Sequence, residues 1–397
     1  MSLNNTPRSS RLHIGIFGKR NSGKSALINA LTNQEIALVS EIAGTTTDPV
    51  YKSMEIHGIG PCVFIDTAGF DDVGQLGKMR VEKTKNIVEK TDIALVVFSD
   101  NKMNEEISWI AELKQKSTPI IAIVSKSDIL TNTKEFCESI TKTCKLTPIV
   151  VSAKTKTGIS KIHEEIIRLL PEDYEARSII GNLADNGDIV LLVMPQDIQA
   201  PKGRLILPQV QTLRELLDKK CIVLSATTDK LSNALASLSK PPKLIITDSQ
   251  VFKTVYEKKP KESKLISFSV LFANYKGDID YFVESASAIE NLTESSRVLI
   301  AEACTHAPLA EDIGREKIPI MLRKKVGEKL TVDIVSGTDF PEDLSQYDLI
   351  IHCGACMFNR KYVISRVIKA KCAGVPMSNY GVVIAYLAGI LDKIDIK

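Results

Sequence analysis

The first 170 residues alternate short apolar runs with amphipathic stretches. The apolar runs predict buried β-strands at Leu12–Phe17, Val63–Ile65, Ile93–Phe98, Ile120–Val124 and Ile149–Val151. Between or after them, apolar residues recur at helical spacing and predict helices at Lys24–Leu31, Gly77–Glu89, Asn104–Gln115, Thr133–Thr143 and Ile159–Leu170. Such alternation is typical of a parallel sheet covered by helices. We therefore expect an α/β domain with a mostly parallel sheet over residues 1–171.

Two further blocks repeat the alternation, so we expect two more α/β domains, over residues 172–265 and 266–397. The middle block predicts a buried strand after Asp188, strands at Cys221–Leu224 and Leu244–Thr247, and helices at Val210–Lys219 and Leu231–Leu238. The last block predicts strands at Leu299–Ala301, Thr331–Val335 and Leu349–Ile351, and helices at Ile279–Leu292, Ile313–Val326 and near Gly381–Leu391. The middle block is small for an independent core, and a partner subunit is one way to complete it.

Composition narrows the class of protein. Hydrophobic residues make up 44% of the chain and charged residues 25%, which is typical of globular domains. The formal net charge of +3 gives no sign of an electrostatic nucleic-acid partner. The N-terminus has no apolar signal core, and the longest apolar stretch, Gly381–Leu391, is shorter than the roughly 20 residues of a membrane span. We expect a cytoplasmic protein without a membrane partner.

A phosphate-binding loop follows the first predicted strand. The segment Gly18-Lys-Arg-Asn-Ser-Gly-Lys-Ser25 matches GxxxxGK[ST] and lies between a strand and a helix, as that motif requires. Backbone amides in such a loop bind phosphate at a helix N-terminus, the lysine reaches the β- and γ-oxygens, and the serine binds Mg²⁺. We expect nucleotide binding by Gly18, Asn21, Ser22, Gly23, Lys24, Ser25 and Ala26.

A second motif, Asp66-Thr-Ala-Gly69, follows the strand Val63–Ile65. It places the Asp66 carboxylate at a strand end, where it can serve the metal, and the flexible Gly69 beside the γ-phosphate. Lys24, Asp66 and Gly69 are therefore candidate catalytic residues.

Two later motifs resemble the guanine-recognition motifs of GTPases. They are Ser125-Lys-Ser-Asp128 and Ser152-Ala-Lys154, and each follows a predicted strand. The resemblance implies that Asp128 accepts from the guanine N1 and N2 hydrogens, that Lys126 lies across the base and that the Ala153 amide faces O6, with Ser152 and Lys154 completing the site. Ser125 stands where these GTPases carry Asn, and we expect the exchange to loosen the nucleotide loop without changing specificity.

The segment Gly44-Thr-Thr-Thr-Asp48 resembles the second motif of GTPases related to MnmE and Era. The resemblance implies a Mg²⁺ ligand at Thr46, with Thr45 as the alternative. Phe70 occupies the place of the water-positioning Gln of Ras-like enzymes, and a phenyl ring cannot orient water. Asn21 stands where the potassium-activated relatives have an Asn that helps to bind the cation, so K⁺ is expected to stimulate hydrolysis. An ordinary turn residue is an equally good interpretation of Asn21.

Cysteine and histidine cluster in the last hundred residues. Cys304-Thr-His306 and His352-Cys-Gly-Ala-Cys356 each follow an apolar strand, so the two loops can meet at one sheet edge. Thiolates in a CxxC turn bind zinc or an iron–sulfur cluster. A redox pair or simply buried cysteines remain the alternatives.

Taken together, the potassium-type GTPase domain, the middle domain and the terminal Cys-x-His and His-Cys-x-x-Cys pattern resemble the HydF family, the FeFe-hydrogenase maturation GTPases, over essentially the whole chain. The resemblance implies a scaffold with a 4Fe–4S cluster on Cys304, Cys353 and Cys356. On it a transient di-iron precursor cluster is assembled with two radical-SAM maturases and passed to apo-hydrogenase. It also implies a homodimer formed through the middle domain.

Several points stay open at this stage. The fourth iron ligand is Glu311, His306 or His352, each of which could instead be an outer group, and Cys372 is expected to be structural. A ribosome- or tRNA-associated GTPase with a structural zinc module is one alternative function. A regulatory GTPase gated by a redox-sensing cluster is another.

Overall fold

The computed structural model describes residues 11–32, 50–56, 60–67, 86–170, 178–195, 205–303, 313–337, 339–355 and 358–395. The chain forms two compact units, one ending at residue 174 and one beginning at residue 175. Three mostly parallel sheets carry helices between their strands, which confirms the expected α/β class. Within the part of the chain that is described, no helix is long and apolar enough to cross a membrane.

The first unit contains a six-stranded sheet. Its strands are β1 (Leu12–Phe17), β2 (Val50–Ile56), β3 (Gly60–Asp66), β4 (Ile93–Phe98), β5 (Ile120–Val124) and β6 (Ile149–Val150). They lie in the order β2-β3-β1-β4-β5-β6, and only β2 runs antiparallel to its neighbour. β2 was not predicted, because this edge strand mixes polar with apolar residues and lacks the continuous apolar run of the central strands.

Helices cover both faces of this sheet. They are α1 (Lys24–Thr32), α2 (Asn104–Gln115), α3 (Thr133–Cys144) and α4 (Ile159–Arg168). Ile14 of β1 packs with Ile28 and Ile162 on one face, whereas Phe17 packs with Trp109 on the other. The expected helix Gly77–Glu89 lies largely outside the described residues, although residues 86–88 are helical.

The second sheet has four parallel strands in the order β10-β9-β7-β8. These are β7 (Ile189–Val193), β8 (Ile222–Ala226), β9 (Leu244–Thr247) and β10 (Lys264–Ser267), with helices α5 (Leu207–Asp218), α6 (Leu231–Ala236) and α7 (Phe252–Lys258). The boundary expected after residue 265 falls inside β10, which pairs along its full length with β9. The second sheet therefore extends at least to Ser267.

The third sheet is also parallel, in the order β12-β11-β13-β14. Its strands are β11 (Arg297–Glu302), β12 (Thr331–Ser336), β13 (Leu349–His352) and β14 (Met377–Asn379), and its helices are α8 (Phe268–Lys276), α9 (Ile279–Ala286), α10 (Ile318–Val326), α11 (Arg360–Ala373) and α12 (Tyr380–Leu387). Two expected helices are interrupted: a 3₁₀ turn, Ser287–Asn291, follows α9, and a π-helical turn, Ile313–Lys317, precedes α10.

One apolar core runs through the second and third sheets. Helix α8 packs against α5 on one side and against α11 and α12 on the other, and it buries Phe268, Leu271 and Phe272 in that core. Gly381 of α12 allows the close approach, since a Cβ there would lie 2.5 Å from the Ser269 Oγ. The middle domain thus shares its core with the next domain of the same chain, which enlarges a core that is small for an independent domain.

Candidate functional site

The segment from Gly18 to Ser25 forms a tight loop between β1 and α1. Gly18 has φ +155°, and a Cβ there would lie 2.7 Å from the Val97 carbonyl oxygen, so only glycine fits. Gly23 has φ +92° and Asn21, whose side chain is exposed, has φ +59°. This left-handed backbone turns successive amides toward the start of α1, the arrangement that binds phosphate.

Lys24 bends back over the loop. Its Nζ donates to the Gly18 carbonyl at 2.7 Å and to the Lys19 carbonyl at 2.6 Å, and the side chain is 7% exposed. The ammonium is therefore positioned by the same loop whose amides would hold a phosphate, which is the role expected for it.

Ser25 and Asp66 meet although 41 residues separate them. The Ser25 Oγ donates to the Asp66 Oδ2 at 2.9 Å, because β3, which ends at Asp66, pairs with β1 beside the loop. Two oxygen atoms at this spacing suit Mg²⁺, which prefers hard oxygen ligands, so the residues present fit the expected ion. The other two residues of the expected catalytic set, Thr46 and Gly69, lie outside the described residues, as does Thr45.

The two guanine motifs come together at the ends of β5 and β6. Their loops are joined by backbone bonds, from the Val151 amide to the Val124 carbonyl at 2.8 Å and from the Ser127 amide to the Val151 carbonyl at 3.1 Å. The Ser152 Oγ donates to Asp128 at 2.7 Å, and this bond lowers the pKa of the exposed Asp128 carboxyl. Asp128 therefore remains ionised and can accept two hydrogen bonds from a base.

The two motifs also contain Lys126, Ala153 and Lys154, and the charge of Lys154 helps to lower the pKa of Asp128. Lys126 has a left-handed backbone, with φ +55°, and its Cε would lie 3.9 Å from a Cβ placed on Gly23. The side chain of Lys126 thus runs along the phosphate loop, consistent with the position expected for a lysine that lies across a base.

The expected loosening of the nucleotide loop at Ser125 stays a prediction, and the structure shows which contacts the Ser125 hydroxyl makes to that loop. The buried Ser125 Oγ donates to the Ser22 carbonyl at 2.6 Å, and the Phe98 carbonyl lies 3.2 Å away. A hydroxyl is long enough here because β5 brings Ser125 directly against the phosphate loop. The connection between the guanine motif and the phosphate loop is therefore kept with Ser in place of Asn.

Lys19 was not among the predicted site residues, because it occupies a variable position of the loop motif. Its Nζ lies 2.9 Å from the Asp100 Oδ1 and 3.9 Å from Glu106, and it also donates to the Lys102 carbonyl. Burial alone would lower the pKa of Lys19, but the hydrogen bond that Lys19 donates to Asp100 and the nearby carboxylates raise it. Lys19 thus ties the phosphate loop to the start of α2, a contact that only the fold reveals.

In the second unit, the expected iron site begins at the ends of β11 and β13. These strands are parallel neighbours, with Ala301 opposite His352. The Cys353 Sγ accepts the Ala303 amide at 3.0 Å and the Ala355 amide at 3.4 Å. Amides that point at a sulfur stabilise a thiolate, so Cys353 fits the donor expected for an iron–sulfur cluster.

Four other ligand candidates lie outside the described residues: Cys304, His306, Glu311 and Cys356. Ala303 is nevertheless both the neighbour of Cys304 in sequence and a hydrogen-bond donor to the Cys353 sulfur. Among the residues that are described, no group of three or more metal-binding side chains occurs. Cys372, which is expected to be structural, is exposed on α11.

His352 is the one fourth-ligand candidate that the structure removes. It is fully buried, and its Nε2 accepts from Arg366 at 2.9 Å. Its Nδ1 therefore carries the proton and donates to the Cys353 carbonyl at 2.7 Å. Because both ring nitrogens already have protein partners, neither has a lone pair to offer to iron.

Three family models match the chain in succession. Residues 13–126 match a 50S ribosome-binding GTPase, residues 179–277 a hydrogen maturase F dimerization domain, and residues 280–395 a hydrogen maturase F tetramerization domain. The last two together cover more than half of the chain.

Two curated relatives each match 42% of the chain. The tRNA modification GTPase MnmE of Paraburkholderia xenovorans is 32% identical over 170 residues, 42% of this chain and 36% of that protein. GTPase Der of Wolinella succinogenes is 36% identical over 184 residues, 42% of this chain and 37% of that protein. The chain thus spans less than two fifths of the length of these relatives.

Solved structures give a weaker likeness. Aquifex aeolicus Era with bound GDP and AlF₄⁻ is 20% identical. The match covers 54% of this chain and 92% of the Era chain, with a TM-score of 0.35. The G domain of the T. maritima FeoB iron transporter is also 20% identical, and the match covers 40% of this chain and 98% of the G-domain chain, with a TM-score of 0.30. Scores this low add nothing to the fold that the sheets themselves show.

Proposed function

The chain belongs to the hydrogen maturase F family, and from that premise we propose that it is a GTP-hydrolysing scaffold and carrier for FeFe-hydrogenase maturation. In this proposal it binds a 4Fe–4S cluster, assembles the transient di-iron precursor on it and transfers the precursor to apo-hydrogenase. The observation that carries the proposal is the Cys353 sulfur, which accepts two backbone amides at the end of β13 and lies against the residue before Cys304.

GTP hydrolysis is assigned to the loop from Gly18 to Ser25 and its surroundings. Lys24 neutralises charge on the β- and γ-phosphates, while Ser25, Asp66 and Thr46 hold Mg²⁺, with Gly69 beside the γ-phosphate. Bound Mg²⁺ would supply electrostatic stabilisation of the transferred phosphoryl group. We propose that K⁺, held with the help of Asn21, adds positive charge at the same place, in the role that an arginine finger has in other GTPases.

Guanine selection is assigned to the loops after β5 and β6. Asp128, kept ionised by Ser152, accepts from the base N1 and N2 hydrogens, and Lys126 lies across the ring. The Ala153 amide faces O6, with Lys154 beside it. Ser125 fixes this group relative to the phosphate loop through the Ser22 carbonyl.

The cluster ligands proposed are Cys304, Cys353 and Cys356. Three thiolates leave one iron for a replaceable oxygen or nitrogen ligand, and an incoming precursor needs such a position. Glu311 and His306 remain the candidates for it, since both nitrogens of His352 are engaged.

The family models are named for dimerization in the middle domain and for tetramerization in the last domain, and we propose the following roles. Residues 1–171 form the GTPase domain, the middle domain joins a homodimer, and the last domain binds the cluster. The matched models meet between residues 277 and 280, which we take as the second boundary in place of residue 265. The proposed setting is cytoplasmic, and the proposed partners are two radical-SAM maturases and apo-hydrogenase.

The decisive experiment combines metal analysis with infrared spectroscopy. We expect anaerobically purified and reconstituted protein to contain about four irons per chain with matching sulfide. After co-production with the maturases, it should also show CO and CN⁻ bands. Zinc without sulfide would instead favour a GTPase with a structural zinc module. A cluster without these bands after co-production would favour a cluster-gated regulator.

A further inference from the structure

A guanidinium group is buried beside the Cys353 loop. Arg366 of α11 is 2% exposed, although arginine is seldom buried without a charged partner. Its Nη2 donates to the Gly337 carbonyl at 2.6 Å and to the Tyr362 hydroxyl at 2.9 Å, and its Nη1 donates to the His352 Nε2 at 2.9 Å. Each of these three acceptors is an uncharged group.

Aromatic rings cover the planar faces of this group. The Arg366 Cζ lies 4.5 Å from the centroid of the Tyr362 ring and 4.7 Å from that of Phe340. Within the described ranges, no carboxylate forms an ion pair with Arg366, and its buried Nε has no hydrogen-bond acceptor. A buried charge is costly unless an opposite charge offsets it, so this cation calls for an anion close by.

The contacts of Arg366 lead toward the expected iron site. Its Nη1 holds the Nε2 of His352, and the Nδ1 of the same ring donates to the Cys353 carbonyl. Because the His352 Nε2 accepts from the guanidinium, the ring carries a proton at Nδ1 alone, and the imidazole between Arg366 and Cys353 is uncharged. The Cys353 sulfur, with its two amide donors, is the acceptor in this neighbourhood best suited to carry negative charge.

We infer that Arg366 is the counter-charge of an anionic iron–sulfur cluster held by Cys353. It is a positioning residue that acts on Cys353 through His352, and its positive charge acts on the cluster through space. The inference rests on the proposed function. A nearby positive charge stabilises a cluster more in its reduced state, which carries one more negative charge. Arg366 should therefore raise the reduction potential of the cluster and strengthen its retention, because net charge and hydrogen bonding set that potential.

Variants that separate charge from packing test the inference. Arg366→Gln and Arg366→Leu both remove the charge. The first variant keeps hydrogen-bonding groups at this position, whereas the second introduces an apolar side chain that fits between the two rings. Arg366→Lys keeps the charge. Tyr362→Phe is the matched control, since it keeps the charge and the ring and removes only one acceptor. Each protein is reconstituted anaerobically, and its reduction is followed by electron paramagnetic resonance during a redox titration.

We expect both uncharged variants to be reduced less readily, by about tenfold in the one-electron equilibrium constant, which corresponds to about 59 mV toward negative potential. Arg366→Lys and Tyr362→Phe should stay close to the unmodified protein. Equal potentials in all five proteins would overturn the inference. So would a shift in Arg366→Leu alone, because that result would assign the effect to lost hydrogen bonds.

Thermal unfolding gives a second readout, independent of potential. The rise in Tm on reconstitution should be smaller in Arg366→Leu than in the unmodified protein, and an equal rise would contradict the inference. If Arg366→Leu does not accumulate as folded protein, the comparison of Arg366→Gln with Arg366→Lys and Tyr362→Phe still separates charge from hydrogen bonding, and the rise in Tm is compared in Arg366→Gln. A failure of the proposed function itself is distinguishable. If the protein holds no cluster, the unmodified protein binds no iron and sulfide. If only the scaffold role fails, the unmodified protein lacks CO and CN⁻ bands after co-production, while the reduction potentials of all five proteins still test the role of Arg366.

Discussion

The phosphate loop and the cysteine loop both place a buried cation where an anion is proposed to bind, but they assemble it differently. Lys24 bonds to carbonyls five and six residues away in the same loop. Arg366 bonds to Gly337 and His352, which come from the end of β12 and the end of β13. One site is made by consecutive residues, and the other is made by the tertiary fold.

This difference decides what each site reveals in the sequence. A loop whose function depends on neighbouring residues has a fixed spacing and is found as a motif. A site assembled from separate strand ends has no fixed spacing, so its ligands can be guessed from residue type but its supporting groups cannot. Four predictions test this difference between the phosphate loop and the cysteine loop.

The largest effect is expected for Lys24→Ala. Loss of the ammonium removes charge stabilisation at the β- and γ-phosphates, so GTP hydrolysis should fall by at least about 10²–10³-fold, measured as phosphate release. Lys134→Ala, on the exposed surface of α3, is the matched control and should retain activity. Unchanged turnover in Lys24→Ala would contradict the assignment, and iron content should be the same in both variants.

Cys353→Ser should lower the iron content and leave GTP hydrolysis unchanged, the reverse of the result expected for Lys24→Ala. One of three thiolates is lost, so we expect most of the bound iron and sulfide to disappear after reconstitution, while GTP turnover continues. Cys372→Ser, which changes an exposed cysteine of the same domain, should retain the cluster. If the variant with serine at Cys304, Cys353 and Cys356 together still held about four irons per chain, the cluster would lie elsewhere.

Ser125→Ala sharpens the comparison within the GTPase domain. The change removes the 2.6 Å bond to the Ser22 carbonyl, and an unmade buried hydrogen bond costs about 1–3 kcal/mol. We expect GTP affinity to weaken by about tenfold in equilibrium binding, with the preference for guanine kept by Asp128. Ser127→Ala is the control, because Ser127 contributes a backbone bond that alanine preserves. Equal affinity in the two variants would show that this bond has no role in holding nucleotide.

The smallest effect is expected for the monovalent cation. If Asn21 helps to hold K⁺, hydrolysis should be a few-fold faster in KCl than in NaCl at equal ionic strength, and Asn21→Ala should abolish the difference. Equal rates in the two salts would leave Asn21 as a turn residue, which its left-handed backbone also suits.

The strands of the GTPase domain were predictable because each central strand is buried on both faces. Leu12–Phe17 and Ile93–Phe98 are buried at every position, and the structure gives both strands the predicted bounds. β2, β10 and β14 were not predicted, since β2 is an edge strand that mixes polar with apolar residues and the other two have only four and three residues. Helix α8 was missed for another reason: its hydrophobic residues face two domains at once and lack the one-sided pattern of a surface helix.

The sequence by itself determined the local chemistry of this protein: the phosphate loop, the Asp66 motif, the guanine motifs and the CxxC loop. Each of these depends on backbone geometry over a few residues, which residue type and spacing specify directly. Only the tertiary structure decided that Ser125 reaches the phosphate loop and that Arg366 is buried against His352, the neighbour of Cys353. These two bonds join residues 103 and 14 positions apart, and strand register and helix packing determine such distances.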